Sequence, residues 1–218
     1  MDIIHGPHGP ATGKICDGAS VGVLVLDDLD RVLVGTRADG AGVAPIAGHV
    51  FDAHPGYVEA AHAEVAEEAA MTVVPGTLVL VGGGHRLNRC ARGDGPDGPG
   101  HHWQIYTARA IGTPRSADAK LGALHWADRA ELEALMQRTL ARARGRVTDP
   151  DWAAAPGIEP VWCRWILTAG LADIDRDELA EIDRTVDVNE DAEEPGWRPC
   201  RCYGEGCEQC DDTGVISP

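Results

Sequence analysis

Three closely spaced glutamates are the side chains most able to do chemistry in this sequence. Glu64, Glu67 and Glu68 stand at positions i, i+3 and i+4 of a run that contains no helix breaker. On an α-helix these positions fall within one arc of about 100°. The carboxylates repel one another there, and a hard divalent cation with oxygen ligands turns that repulsion into binding. A solvated acidic stripe on an Ala-rich helix has the same spacing, so the spacing alone leaves both interpretations open.

The elements around these glutamates predict an α/β domain. A helix is expected from about Val58 to Ala70, with Val58, Ala61, Val65 and Ala69 packing on a sheet. Residues 21–26 and 31–36 predict a strand hairpin, and residues 38–56 predict a loop because Gly, Ala, Pro and His mix there without a period. Further strands are expected at 77–81, 103–111 and 124–126, and Asp128 is a plausible N-cap for a helix that reaches toward Arg144.

The segment that contains the glutamates resembles the Nudix box, whose pattern is G-x5-E-x7-R-E-U-x-E-E-x-G-U with U aliphatic. The matching residues are Gly48-His49-Val50, Glu64-Val65-Ala66-Glu67-Glu68-Ala69-Ala70-Met71 and the following Thr72-Val73. Three positions depart from the pattern: Ala63 replaces the arginine, Ala70 replaces the second glycine, and the first glutamate would fall at His54 or Pro55. The resemblance spans roughly residues 18–145.

The resemblance implies a Nudix-type α/β/α sandwich with a mixed sheet. It also implies Mg²⁺-dependent (or Mn²⁺-dependent) hydrolysis of the diphosphate bond in a nucleoside diphosphate linked to another moiety. The metal would lie on Glu64, Glu67 and Glu68, with the Gly48 carbonyl as a further ligand. Glu64 is the candidate for orienting or deprotonating the attacking water, and Glu67 and Glu68 are the principal metal ligands.

Residues 82–102 hold seven glycines and two prolines, and they predict a long irregular loop. Arg86 and Arg89 lie in this loop, and arginine forks suit phosphate oxygens, so we expect a substrate-covering lid. The order of residues excludes a P-loop. His101 and His102 follow the loop and are candidates for substrate binding or for an additional base. A flexible insertion with two solvated histidines is the alternative.

The C-terminal segment carries a cluster of four cysteines, Cys200, Cys202, Cys207 and Cys210. The cluster resembles two degenerate copies of the C-x2-C-x-G-x-G unit of DnaJ-type cysteine-rich regions, which hold structural Zn²⁺. Four thiolates close a tetrahedral site and leave no open catalytic position. Disulfides and free thiols are the alternatives. The scattered Cys16, Cys90 and Cys163 are expected to be buried hydrophobes.

Composition and charge organise the chain and limit its partners. We expect an irregular segment at 1–17, a Nudix domain at 18–145, a helical extension at 146–172, an acidic linker or helix at 173–196 and a zinc tail at 197–218. The net charge of −16 argues against nucleic acid or anionic lipid as a partner. No secretory signal or membrane-spanning run is visible, which predicts a cytoplasmic protein. A small nucleotide-like diphosphate is the expected substrate, and the tail is a possible site for a homodimer or a protein partner.

Two other functions stay open at this point. A non-catalytic Nudix-fold module would bind a ligand or regulate, with the tail docking a partner, and the altered box loop is its best support. Isomerisation of a prenyl diphosphate uses a related fold but needs a particular Cys and Glu pair, and Cys90 cannot be placed from the sequence.

Overall fold

A mixed β-sheet with strand β1 at its centre carries the fold. The computed structural model describes residues 15–51, 53–88, 90, 92–93, 98, 100–117 and 120–186, and the backbone of 198–199 and 215–216. The strands of the main sheet are β1 Ala19–Leu26, β2 Val32–Thr36, β3 Val43–Ala44, β4 Ile46–His49, β5 Thr72–Val73, β6 Val79–Arg86, β7 His101–Ile111 and β8 His125–Ala127. The helices are α1 Tyr57–Ala69, α2 Arg129–Ala143, α3 Asp149–Ala154, α4 Pro160–Thr168 and α5 Arg176–Val186.

Strand β1 pairs in parallel with β7 on one edge and antiparallel with β4 and β2 on the other. The register places Ser20 opposite His49 of β4 and opposite Trp103 of β7. Strands β3 and β8 pair with β2, and β5 and β6 pair with β7. Because seven of the eight β1 residues are buried, both faces of the sheet must be covered.

The two faces of the sheet are covered by different helices. Gly22 faces α4, since a Cβ built on Gly22 would lie 2.5 Å from the ring of Trp162. Gly48 of β4 pairs with Val21 and faces α1, where a Cβ would lie 1.7 Å from Glu64 Oε1. Val21 and Gly22 are consecutive strand residues and therefore point to opposite faces. The mixed sheet with a helix on each face agrees with the predicted α/β/α sandwich.

Two segments predicted to be loops contain strands. Residues 38–56 include β3 and β4, and β4 forms because four of its residues pair with β1, a long-range contact that no local period signals. Residues 82–102 include the end of β6, where a Cβ on Gly83 would lie 2.7 Å from the Trp103 carbonyl oxygen. Gly83 therefore allows close approach of β7, so Gly82, Gly83 and Gly84 belong to a strand and not to an irregular loop.

Helices α4 and α5 pack against the domain through a buried ion cluster. Asp183 of α5 is 7% exposed, and its carboxylate accepts a hydrogen bond from Arg86 of β6 at 2.6 Å and another from Arg164 of α4. Removing one partner of a buried ion cluster leaves an uncompensated charge, so these three residues tie α5 to the sheet. None of the helices among the described residues is both long and apolar enough to cross a membrane.

Helix α1 buries a stripe of small residues against the sheet. Ala61, Val65 and Ala69 are fully buried, as the sequence predicted, whereas Val58 is 47% exposed because it lies in the first turn, before the buried stripe begins. The helix ends at Ala70, which takes the left-handed conformation with φ 54°. Its N–H donates to Ala66 O, and the N–H of Met71 donates to Val65 O. Glycine is the usual residue in such a cap because it has no Cβ.

The alanine in this cap predicts a stabilising substitution. Ala70→Gly should raise the free energy of unfolding by about 1 kcal/mol, because a left-handed non-glycine residue carries a steric cost of that order. The melting temperature should rise by about 2–4 °C for a chain of this size.

The matched control is Ala66→Gly, in the same helix but with helical dihedral angles. It should lower the free energy of unfolding by about 1 kcal/mol, because glycine is a poor helix former. Thermal and chemical denaturation of both variants check the opposite signs. Two shifts in the same direction would contradict this account of the helix end.

Candidate functional site

The glutamates of α1 lie at the edge of its buried face. Glu64 and Glu68 are only 8% and 6% exposed, and Glu67 is exposed. The helix directs the first two side chains toward β4 because they stand one turn apart on the stripe that borders Ala61 and Val65. The structure therefore separates the three predicted ligands into two buried carboxylates and one that faces solvent.

Strand β4 approaches the buried carboxylates closely. Gly48 leaves the space that the Glu64 carboxylate fills, and the backbone N–H of Ala47 donates to Glu68 Oε2 at 3.2 Å. The small residues Ala47 and Gly48 thus allow the backbone of β4 to contact the carboxylates of Glu64 and Glu68, and these four residues are called the glutamate corner. The corner combines carboxylate oxygens with nearby backbone, which is the hard oxygen donor set that Mg²⁺ or Mn²⁺ prefers. The residues present therefore fit the divalent cation that the sequence predicted.

Arg37 lies close enough to this corner for its charge to act on Glu68, and no sequence motif marked it as a site residue. It follows β2, and its guanidinium contacts Asp39 at 2.5 Å and Glu159 at 3.6 Å. Burial acts to lower the pKa of Arg37, but the hydrogen bond with Asp39 and the charges of Glu159, Asp39 and Glu68 outweigh it and raise that pKa. Arg37 is therefore a permanent positive charge that acts on Glu68.

The predicted phosphate-binding arginines are not brought together with the glutamates by any described contact. Arg86 lies at the end of β6 and contacts Asp183 at 2.6 Å. Arg89 lies outside the described residues. The lid role of these two arginines stays a prediction.

The two predicted histidines have different environments. His102 is exposed and its ring centroid lies 5.1 Å from that of His85. His101 is 3% exposed, and its Nε2 lies 3.0 Å from the Sγ of Cys16 while its Nδ1 lies 2.7 Å from the Ser20 hydroxyl. Burial, with a further contribution from His49, lowers the pKa of His101 to about 4. His101 is thus neutral at neutral pH and lies inside the fold.

Two of the scattered cysteines lie beside histidines. Cys16 is 2% exposed, and burial raises the pKa of its thiol to about 11. Cys90 Sγ lies 3.4 Å from His49 Nε2. Cys163 is fully buried in the core, as expected of an inert cysteine. The four tail cysteines, Cys200, Cys202, Cys207 and Cys210, lie outside the described residues.

Comparison with known proteins identifies the family. The family model described as NUDIX domain matches residues 17–149, more than half of the 218-residue chain. Among solved structures, a NUDIX hydrolase from Nitrosomonas europaea is 20% identical with a TM-score of 0.43, over 54% of this chain and 76% of that one. A MutT NUDIX hydrolase from Burkholderia pseudomallei is 20% identical with a TM-score of 0.42, over 53% and 84% of the two chains. A search of curated proteins found no match.

The family match covers β1 to α2 and includes Gly48 and all three glutamates of α1. Membership rests on this match and not on the solved structures. The chain belongs to the NUDIX domain family and is a Nudix-type hydrolase.

Proposed function

We propose that this protein hydrolyses the diphosphate bond of a nucleoside diphosphate linked to another moiety, with Mg²⁺ or Mn²⁺ as cofactor. The observation that carries the proposal is the burial of two carboxylates, Glu64 and Glu68, against the backbone of Ala47 and Gly48. Burying two ionised carboxylates side by side costs several kcal/mol unless positive charge compensates them. A divalent cation on Glu64, Glu67, Glu68 and the Gly48 carbonyl supplies that charge.

Each residue of this corner has a distinct proposed task. When bound, the cation neutralises phosphate oxygens and makes nearby water more acidic. Glu64 orients the attacking water and accepts its proton. The water oxygen bonds to phosphorus, the bridging P–O bond breaks, and the displaced oxygen leaves with the other phosphate. The Ala47 N–H holds Glu68 in place, and the positive charge of Arg37 acts on the Glu68 carboxylate.

Charge removal on α1 tests the proposal. Glu67→Gln and Glu68→Gln should each lower kcat by about 100-fold or more, because a metal ligand contributes several kcal/mol of transition-state stabilisation. Glu64→Gln should lower kcat by roughly 10²–10⁴-fold, the usual contribution of a general base. The assay is phosphate release from nucleoside diphosphate sugars, dinucleoside polyphosphates, NAD-like compounds and oxidised nucleotides, with Mg²⁺ or with chelator.

Glu59→Gln is the matched control, since Glu59 is an exposed glutamate in the first turn of the same helix. It removes one charge from α1 and should leave kcat unchanged. Full activity of Glu68→Gln, or activity that survives complete chelation of divalent cations, would contradict the mechanism.

The close approach of Gly48 to Glu64 allows a test in which no charged residue is replaced. In Gly48→Ala the new Cβ would lie 1.7 Å from Glu64 Oε1, so the carboxylate must move. The clash is with the end of a flexible side chain, so the fold should survive while kcat falls about 10-fold or more through misplacement of the base.

Gly122→Ala is the control for that substitution. A Cβ on Gly122 would meet only the Thr36 carbonyl oxygen, at 3.4 Å, so stability and kcat should both be retained. Circular dichroism and the phosphate-release assay are run on both variants. If Gly48→Ala is folded and fully active, the position of Glu64 does not limit the reaction.

A structural Zn²⁺ in the tail, on Cys200, Cys202, Cys207 and Cys210, is a separate proposal. Arg198–Pro199 and Val215–Ile216 pair as antiparallel strands, β9 and β10, which brings the two ends of the cysteine segment together. Four thiolates in a short segment suit a closed tetrahedral site. Replacing all four cysteines by serine should remove about one zinc ion per chain.

A further inference from the structure

Four metal-binding side chains converge at one end of the sheet, outside the glutamate corner. Cys16 precedes β1, His49 ends β4, Cys90 follows β6 and His101 begins β7. One ligand atom from each of them lies within 4.8 Å of all the others. The four residues are called the Cys2His2 cluster below.

The strand register creates this cluster from segments that are far apart in the chain. Ser20 of β1 lies opposite His49 and opposite Trp103, and alternation along β7 places His101 on the same face as Trp103. His49 therefore points to the α4 face of the sheet, while its neighbour Gly48 points to α1. The Cys2His2 cluster and the glutamate corner lie on opposite faces.

The distances within the cluster suit one tetrahedral ion. Zinc bonds of about 2.3 Å to sulfur and 2.0–2.1 Å to nitrogen place a tetrahedral S and N pair about 3.6 Å apart. The Sγ of Cys16 lies 3.0 Å from His101 Nε2 and 3.7 Å from His49 Nε2, and Cys90 Sγ lies 3.4 Å from His49 Nε2. These three distances differ from the tetrahedral value by about 0.6, 0.1 and 0.2 Å respectively.

The groups around the cluster support metal binding independently of these distances. The Ser20 hydroxyl lies 2.7 Å from His101 Nδ1, an outer contact that orients Nε2 toward an ion. The backbone N–H of Gly18 donates to Cys16 Sγ, and that of Arg92 donates to Cys90 Sγ, each at 3.4 Å. These backbone contacts hold the two sulfur atoms in position.

We infer that Cys16, His49, Cys90 and His101 bind a structural zinc ion. Two thiolates balance the charge of Zn²⁺, so the complete site is neutral and can be buried. Thiolate and imidazole donors favour zinc over Mg²⁺, and four protein ligands leave no open position for catalysis. The ion links the segment before β1, the end of β4, the loop after β6 and the start of β7, and it gives His101 a structural role instead of a catalytic one.

The zinc site also bears on the glutamate corner through the backbone of β4. His49 is bonded to Gly48, and Gly48 contacts Glu64, so fixing His49 fixes the backbone on which the corner is built. This consequence rests on the proposed function, whereas the zinc site itself does not.

Metal analysis of the full-length chain tests the inference. The unmodified protein, purified in reducing buffer without added metal, is compared with the variant Cys200→Ser, Cys202→Ser, Cys207→Ser, Cys210→Ser. That variant should still hold about one zinc ion per chain, because the Cys2His2 cluster is intact. Adding Cys90→Ser should weaken zinc binding by about 100-fold or more in chelator competition, since losing a ligand exceeds the effect of losing an outer contact.

Matched controls separate ligand loss from unfolding. Cys90→His retains a metal ligand and should restore zinc binding, while Cys163→Ala and His62→Ala remove a cysteine and a histidine elsewhere and should leave the zinc content unchanged. Co²⁺ substituted into the tail variant should show the visible absorption of four-coordinate cobalt with thiolate ligands, and Cys90→His should shift that spectrum.

Two results would overturn the inference. One is a tail variant that is folded but contains no zinc, including the case in which Cys16 and Cys90 form a disulfide. The other is a Cys90→Ser variant that binds zinc as tightly as its parent. Neither result depends on hydrolytic activity, so failure of the zinc site is distinguishable from failure of the proposed function.

Discussion

The burial of the Glu64 and Glu68 carboxylates against β4 is the constraint on which the site depends. Each buried ionised carboxylate costs several kcal/mol, and a fold retains such groups only where hydrogen bonds and opposite charge compensate them. Part of that compensation is visible in the Ala47 N–H and in Arg37. The proposed divalent cation would add further positive charge at the same corner. The small residues of β4 follow from the same constraint, because only a glycine at position 48 leaves room for the Glu64 carboxylate.

One short strand connects the two proposed metal sites. Gly48 and His49 are consecutive residues of β4, so their side-chain positions point to opposite faces of the sheet. The hard oxygen ligands lie on the α1 face, and the thiolate and imidazole ligands lie on the α4 face. This segregation by donor type would direct Mg²⁺ and Zn²⁺ to different sites without competition.

Local signals predicted the parts of the fold that depend on neighbours in sequence. The Ala- and Glu-rich run gave α1 within one residue at each end, and the side chain of Asp128 caps α2 by accepting from the Glu131 N–H at 2.8 Å. The prediction of a loop at the glycines of β6 was wrong. Glycine occurs both in flexible loops and in strands that lie close to a neighbouring backbone. Only the pairing of β6 with β7 shows that these glycines belong to a strand.

The Cys2His2 cluster was beyond the reach of sequence spacing. Cys16 and His101 are 85 residues apart, and His49 and Cys90 are 41 apart, so no compact ligand motif exists. Cys16 was predicted to be a buried hydrophobe and His101 to be a candidate base, and both side chains are buried. The sheet register also brings these two residues together with His49 and Cys90. The only local signal was His101, which lies two residues before a predicted strand, whereas His49 and Cys90 fell in segments predicted to be loops. The four residues can be grouped into one site only when it is known which strands are adjacent in the sheet.

Anomalous diffraction from crystals grown with Mn²⁺ in place of Mg²⁺ would test the central claim most directly. The buried carboxylates predict a manganese peak between Glu64, Glu68 and the Gly48 carbonyl, at a distance from each oxygen that indicates direct coordination. A manganese peak elsewhere, with both carboxylates still folded against β4, would contradict the claim that this corner holds the catalytic cation.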